Sequence, residues 1–300
     1  PAPPPAEAPV PPEEVEETYD GGRDAAGRRD GRGRCVAAAY EYDGGWRDDA
    51  AHGDGVLTTA DFSYAGDFGE GAFHGRGAWK RRDGSRSYDG EFARGEFHGA
   101  GRLDCAAAAC PRDDPRRGAW TSFVGEWVAG RRHGVGTCAY ADGSVYSGDW
   151  RDGVAAGEGC LELADGSSYR GQFRRGVRDG AGALTTADGD VFDGAFRDDA
   201  MAADGRFAVT YADGRLYSGL VKDGVPSGPG GVMKYADSSF YEGGFADGLR
   251  SGPGTLHENR GETLVAVAGE WRCDLLVRRA PPPPGTARAA SSSSSGWREL

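Results

Sequence analysis

The chain has 300 residues, with 52 glycines against two methionines and a formal net charge of -12 at pH 7. That glycine load excludes one large, conventionally packed core, and the acidity excludes a general nucleic-acid binder, because phosphate neutralisation needs clustered Lys and Arg. No run approaches the ~20 apolar residues a membrane-spanning helix needs, and six scattered cysteines without paired spacing make no secreted disulfide framework, which fits a reducing compartment.

In chain order, residues 1–18 are rich in Pro and Glu and read as a disordered arm. An array then fills 19–279, built on an aromatic, x, Gly, x, aromatic triplet. Tyr19/Gly21 is a degenerate start. The triplet follows at Tyr42/Gly44/Trp46, Tyr64/Gly66/Phe68, Tyr88/Gly90/Phe92, Phe123/Gly125/Trp127, Tyr146/Gly148/Trp150, Tyr169/Gly171/Phe173, Phe192/Gly194/Phe196 and Tyr241/Gly243/Phe245. Tyr217/Gly219/Val221 is a softened copy and Val267/Gly269/Trp271 a truncated end. The dominant period is 23 residues, as from Tyr146 to Tyr169. An insertion at 104–119 separates the Tyr88 and Phe123 units, and its Cys105 and Cys110 read as free thiols in a flexible loop. Residues 280–300, with Pro281–Pro284 and Ser291–Ser295, read as a second disordered tail.

Counting the first aromatic as position 0, glycine recurs at +7, +11 and +13, and +15 is apolar: Leu57, Trp79, Leu103, Cys138, Leu161, Leu184, Phe207, Val232 and Leu256. Strand side chains alternate with period two, so 0, +2 and +4 share one face, and +11, +13 and +15 are expected to share a face of a returning strand. The +7 glycine, often in Asp-Gly (Asp152-Gly153, Asp223-Gly224, Asp247-Gly248), marks the hairpin turn. A second Asp-Gly near +19 (Asp83, Asp142, Asp165, Asp188) leads into the next unit. Two or three glycines beside the aromatics make room for each ring to lie flat on backbone. The opposite face, with Asp67, Glu91, Glu126, Asp149 and Gln172 at +3, reads as wet and mildly acidic. A lone hairpin is marginal in water, so the units must stack. The expected fold is all-β: an elongated, solenoid-like, single-layer antiparallel sheet of stacked hairpins with almost no helix.

The stretch Tyr146-Ser-Gly148-Asp-Trp150-Arg-Asp-Gly153-Val-Ala-Ala-Gly157-Glu-Gly159 carries a YxGxWxxGxxxGxG pattern and resembles the MORN (membrane occupation and recognition nexus) repeat. The resemblance runs from Tyr19 to about Trp271. Asp49 and Asp199 replace the +7 glycine and Ala203 the +11 glycine, and those units are expected to be kinked or loosely packed. The resemblance implies a non-catalytic scaffold or adaptor binding a protein partner. It also implies peripheral contact with membrane or phospholipid, against which the acidic balance works, and a cytoplasmic location at membrane, cytoskeleton or cilium. The alternative is a regulatory arm of a larger enzyme, a phosphatidylinositol phosphate kinase or a SET-type lysine methyltransferase, whose catalytic domain is absent from this chain.

No Ser, His, Asp or Cys, His set stands out for catalysis, and Gly-x-Gly strings without a following helix are no phosphate loop, so neither enzyme nor cofactor is expected. His52, His74, His98 and His133 all fall at +10; two strands per unit space them about 9.6 Å apart, too far to share a metal. The candidate partner-binding residues are Tyr64, Phe68, His74, Tyr88, Phe92, His98, Trp127, His133, Tyr146 and Trp150, rings and imidazoles expected to line a groove for an extended or helical segment. The end strands, as unpaired edges, leave oligomerisation open.

Overall fold

A computed structural model describes residues 17–106, 119–261 and 263–281; Cys110 and the outer parts of both tails lie outside them. The described residues form 24 strands and no helix. The chain divides into two units, 1–189 with 196–200, and 190–195 with 201–300. The strands of the first are β1 (Thr18–Arg23), β2 (Arg29–Val36), β3 (Tyr40–Arg47), β4 (Ala50–Thr59), β5 (Phe62–Gly69), β6 (Ala72–Arg81), β7 (Arg86–Ala93), β8 (Glu96–Cys105), β9 (Trp120–Val128), β10 (Arg131–Tyr140), β11 (Val145–Arg151), β12 (Val154–Glu162), β13 (Ser168–Arg174) and β14 (Val177–Thr185). β15 (Val191–Arg197) and β16 (Ala200–Met201) are divided between the two units, and the second continues with β17 (Arg206–Thr210), β18 (Leu216–Lys222), β19 (Val225–Pro226), β20 (Gly228–Lys234), β21 (Phe240–Ala246), β22 (Leu249–Asn259), β23 (Leu264–Arg272) and β24 (Leu275–Arg279).

From β1 to β14 each strand pairs antiparallel with the next, giving stacked hairpins in one layer. Glycine faces glycine at every step: Gly44 pairs with Gly55, Gly55 with Gly66, Gly66 with Gly77, and so on to Gly182. The reason is steric. A Cβ on Gly66 would sit 2.4 Å from the Gly77 Cα and 2.8 Å from the Tyr64 hydroxyl, so the position-0 ring lies on a bare backbone floor. That hydroxyl then donates to the +3 carbonyl of its own unit, as from Tyr64 to Asp67 at 2.8 Å and from Tyr42 to Gly45 at 2.8 Å. Rings lock edge-on with their own +4 ring and the next unit's, Tyr64 meeting Phe68 and Phe92 at 5.1 Å each, in arrangements worth about 0.5–1.5 kcal/mol apiece beyond area burial.

Both central residues of the first turn have positive φ, as in Asp152 (50°) and Gly153 (87°), the primed geometry that matches strand twist. The +11 glycine departs from expectation. Within the hairpin the register shifts between +2 and +4, so +11 lies in a bulge on that side while still pairing with the next unit's +4 ring residue, and a Cβ on Gly75 or Gly157 would point at the +3 carboxylate, not at the rings. Gly75, Gly134 and Gly157 have φ of 55°, 55° and 60° there. The +3 side chain folds over that bulge and accepts from the +12 amide: Asp67 from Arg76 at 3.1 Å, Asp149 from Glu158 at 3.0 Å, and Gln172 from Ala181 at 3.2 Å.

The units with Asp at +7 are clamped, contrary to the expected loosening. Asp49 and Asp199 keep the turn, and each accepts at 2.8 Å from the backbone N–H of an arginine one unit earlier, Arg29 and Arg178. Asp274 and Arg250 repeat the arrangement. The same arginines stack on the next unit's +4 ring, Arg29 at 4.2 Å from the Trp46 centroid and Arg250 at 4.5 Å from that of Trp271. Arg132, 3 % exposed, stacks on Trp150 at 4.3 Å and donates to the Gly153 carbonyl at 2.7 Å.

The unit beginning at Phe192 is irregular, as its Ala203 suggested. β16 is two residues long, Phe192 pairs with Val209, and the Phe207 ring takes the place over Gly194. In the following unit Met233 and not Val232 opposes Tyr217 and is buried, because the return strand runs one residue longer. Glu17 and Thr18, assigned to the arm by composition, belong to the first hairpin: Thr18 pairs with Val36, and the Cys35 thiol donates to Glu17 at 3.0 Å.

Candidate partner-binding surface

The seven aromatic residues proposed as contact residues do not form an exposed groove. Tyr64, Phe68, Tyr88, Phe92, Trp127, Tyr146 and Trp150 are all 5 % exposed or less. The physical cause is the glycine floor beneath each position-0 ring and the rings of the adjacent unit beside it: Tyr88 stacks on Phe97 at 3.8 Å and meets Trp127 edge-on at 5.7 Å. Indole N–H groups are used too, Trp127 donating to the Gly101 carbonyl at 3.2 Å and Trp150 to that of Gly136 at 3.0 Å. Burial pushes the Tyr169 and Tyr217 hydroxyls up to about 12, and those of Tyr42, Tyr64 and Tyr88 also upward, so these phenols stay neutral hydrogen-bond donors to backbone.

The histidines do reach the surface. His74 and His98 are exposed, His52 and His133 half-buried. Their backbone is shared with the core, since Tyr64 and Tyr88 place a second, longer contact on the His74 and His98 carbonyls, at 3.4 and 3.3 Å. Among the described residues no group of three His, Cys, Asp or Glu is placed to hold a metal and no disulfide joins the cysteines; Cys105 is buried at the end of β8 and not in a flexible loop.

What remains open on the first unit is the face away from the rings. Across β6 to β9 it holds a shallow concavity of about 470 Å³ lined by Arg76, Asp89, Glu91, Ala100, Val124 and Glu126, with Gly90, Gly101 and Gly125 as its floor. The walls are two rows of side chains, +1/+14 on one side and +3/+12 on the other, and the floor is backbone because the glycine row lies between them. Val124 and Val135 are 46 % and 61 % exposed, although the Val135 amide donates to Glu126 at 3.4 Å. Alternation along the strand marks +1 and +3 for this face, and the strand pairing brings +12 and +14 of the preceding unit beside them, as Arg76 beside Glu91 and Arg102 beside Val124.

An array of stacked β-hairpins whose glycines are floors for rings defines a repeat protein of one structural type. The family model for the MORN repeat matches residues 42–63, 64–86, 88–107, 123–145, 146–168, 169–191 and 241–257. The chain belongs to the MORN-repeat family. No curated protein matches it significantly. Among solved structures it is similar to a chain described as the SAS-4 (dCPAP) TCP domain in complex with a proline rich motif of Ana2 (dSTIL) of Drosophila melanogaster. That likeness has 12 % identity, covers 56 % of this chain and 82 % of that one, and has a TM-score of 0.33.

Proposed function

We propose that this protein is a non-catalytic scaffold that binds a protein segment on the ring-free face of its first unit. The observation that carries the proposal is how completely the signature residues are consumed internally: rings cover glycines, +3 side chains cap bulges, and +7 and +9 groups tie adjacent hairpins. What varies from unit to unit and stays exposed is the +1, +12 and +14 set, which at β6 to β9 combines apolar Val124 with the charges of Arg76 and Asp89 around one concavity, with the +3 carboxylate of Glu126 at its edge. Mixed rims of this kind suit a polypeptide contact, where an apolar centre supplies affinity and rim charges supply selection.

The test is proximity labelling in the source cell with the wild-type chain and a Val124→Glu, Val135→Glu variant. Both valines are exposed, so the circular dichroism spectrum and melting temperature stay within error of wild type. The expected result is loss of a discrete subset of labelled proteins in the variant. An unchanged set with a folded variant removes this face as the binding surface.

A further inference from the structure

Each hairpin of the array from Tyr42 onward places its +7 residue in the second position of the primed turn. In nine of ten, the +7 backbone N–H donates to a carbonyl of the hairpin before it, at +9 in eight of them: Gly71 to Ala51 at 3.0 Å, Gly95 to Phe73 at 2.9 Å, Gly153 to Arg132 at 2.9 Å, Gly248 to Pro226 at 3.0 Å, and likewise at 130, 176, 199 and 274, while Asp49 donates to Arg29, at +10 of the first hairpin. The exception is Gly224. Its partner would be the Met201 carbonyl, but there the irregular unit turns inward, Ala202 N–H bonding to Ala195 and Gly205 N–H to Ala202, each at 2.9 Å. The Asp-Gly pairs of the inter-unit turns are tied as well, with glycine N–H donors at 2.9–3.1 Å from carbonyls such as Tyr140 for Gly143 and Leu163 for Gly166.

An Asp-Gly bond is the chain's most accessible internal electrophile and nucleophile pair. Glycine has no side chain to block approach of its nitrogen to the preceding carboxyl carbon. A bonded N–H must first break its hydrogen bond before the nitrogen can turn and lose its proton, so a tied glycine is protected in the way a slowly exchanging amide is. Asp223 is exposed, and among the described residues nothing accepts from the Gly224 N–H.

We propose that Asp223-Gly224 is a spontaneous modification site that converts to isoaspartate through a succinimide, and thereby becomes a substrate for carboxyl methylation. The Gly224 nitrogen attacks Asp223 Cγ, a C–N bond forms, and the carboxyl oxygen leaves as water with the amide proton and one further proton. Water then adds at the former backbone carbonyl carbon of Asp223 and breaks its bond to nitrogen. The main chain now runs through Cβ and Cγ, and the freed α-carboxylate is the group a sulfonium-dependent methyltransferase esterifies. No oxidant or reductant is required. The inserted methylene cannot hold a two-residue primed turn, so the hairpin of β18 and β19 loses its closure.

The experiment ages the purified chain at neutral pH and physiological temperature, natively and in guanidinium, and maps peptides by mass spectrometry with fragmentation that separates aspartate from isoaspartate. Asp152-Gly153 and Asp247-Gly248, identical dipeptides in the same turn with tied glycines, are the internal controls. In the native chain, isoaspartate at Asp223 is expected to lead both by about fivefold, the factor that opening one backbone hydrogen bond contributes. In guanidinium the three rates converge. Equal native rates overturn the proposal, and so does an equal lead in guanidinium, which would make the lead a property of local sequence. Incorporation of labelled methyl groups by a purified isoaspartyl methyltransferase with S-adenosylmethionine is the second readout. It falls in Asp223→Glu, where a six-membered imide forms far more slowly; Glu70 already occupies this turn position at φ 52°, so the variant folds. Undiminished methyl incorporation in Asp223→Glu also overturns the proposal.

Discussion

A glycine in this array is tied to what a methyl group would strike, and two kinds are separable by experiment. At Gly66 a Cβ would meet the Gly77 backbone at 2.4 Å and the Tyr64 hydroxyl at 2.8 Å, and neither neighbour can retreat because the next units hold both. Gly66→Ala is therefore expected to cost about 3 kcal/mol, the upper range for overpacking. Gly53 has φ +68° and open space around its Cβ position, so Gly53→Ala carries backbone strain alone, about 1 kcal/mol. Chemical denaturation of the two variants checks the ordering; equal costs would mean that the rings do not rest on the glycine row. Arg132 is the matching case for a charge. It is buried against Trp150 and bonded to the Gly153 carbonyl, so Arg132→Ala removes a stacked cation and leaves a cavity, an expected loss of about 3 kcal/mol by the same measurement. Arg132→Lys recovers little, because an ammonium cannot lie flat on an indole while donating in the ring plane.

At the scale of the hairpin, a side chain at +3 caps the bulge at +11 where one is present, although the bulge also forms beside Gly45 and Gly244, which have none. Asp149 Oδ2 accepts from the Glu158 amide at 3.0 Å over Gly157, and Gln172 does the same to Ala181 with an amide oxygen. Charge is thus not the requirement. Asp149→Asn is expected to be nearly neutral and Asp149→Ala to cost about 1 kcal/mol, one hydrogen bond's net worth, with faster hydrogen exchange at Glu158 reporting the open bulge. This device shows what was and was not legible in the amino-acid string. Hairpin, turn and ring-on-glycine packing followed from period-two alternation and Asp-Gly, since both are local. The bulge did not, because period two carries +11 straight along the strand, and the one feature shared by the bulged units, glycine at +11, is as easily read as room for a ring. The arginine clamps were hidden for a different reason: Arg178 and Asp199 belong to successive units, and Asp199 alone reads as a defect in the turn. The candidate rings were misplaced on the surface because exposure is decided by +4 rings of the neighbouring unit, such as Phe92 against Tyr64.

Across the whole chain the repeated tyrosine makes pH response collective. Folded phenols are pushed upward from 10.0, Tyr169 and Tyr217 up to about 12, with burial the largest cause in each. A proton held more tightly in the folded than in the unfolded chain stabilises fully below the unfolded value and is lost as pH rises toward the folded one. Stability is therefore expected to be flat from neutral pH to about 10 and to fall steeply between 10.0 and about 12, more steeply than one phenol allows because Tyr42, Tyr64 and Tyr88 shift in the same direction. The acid side has the opposite sign. Asp83, Asp165 and Asp237 are held below 3.8, first by the hydroxyls of Ser85, Ser167 and Ser239, so their contribution is present above that value and fades as pH drops through the lowered one. An alkaline titration followed by tyrosinate absorbance and far-ultraviolet circular dichroism decides the first claim. Coincident transitions above pH 10 show phenols that ionise only when the hairpins open. Tyrosinate appearing near pH 10 while the sheet signal persists would place these rings in water and remove the glycine floor as the organising contact.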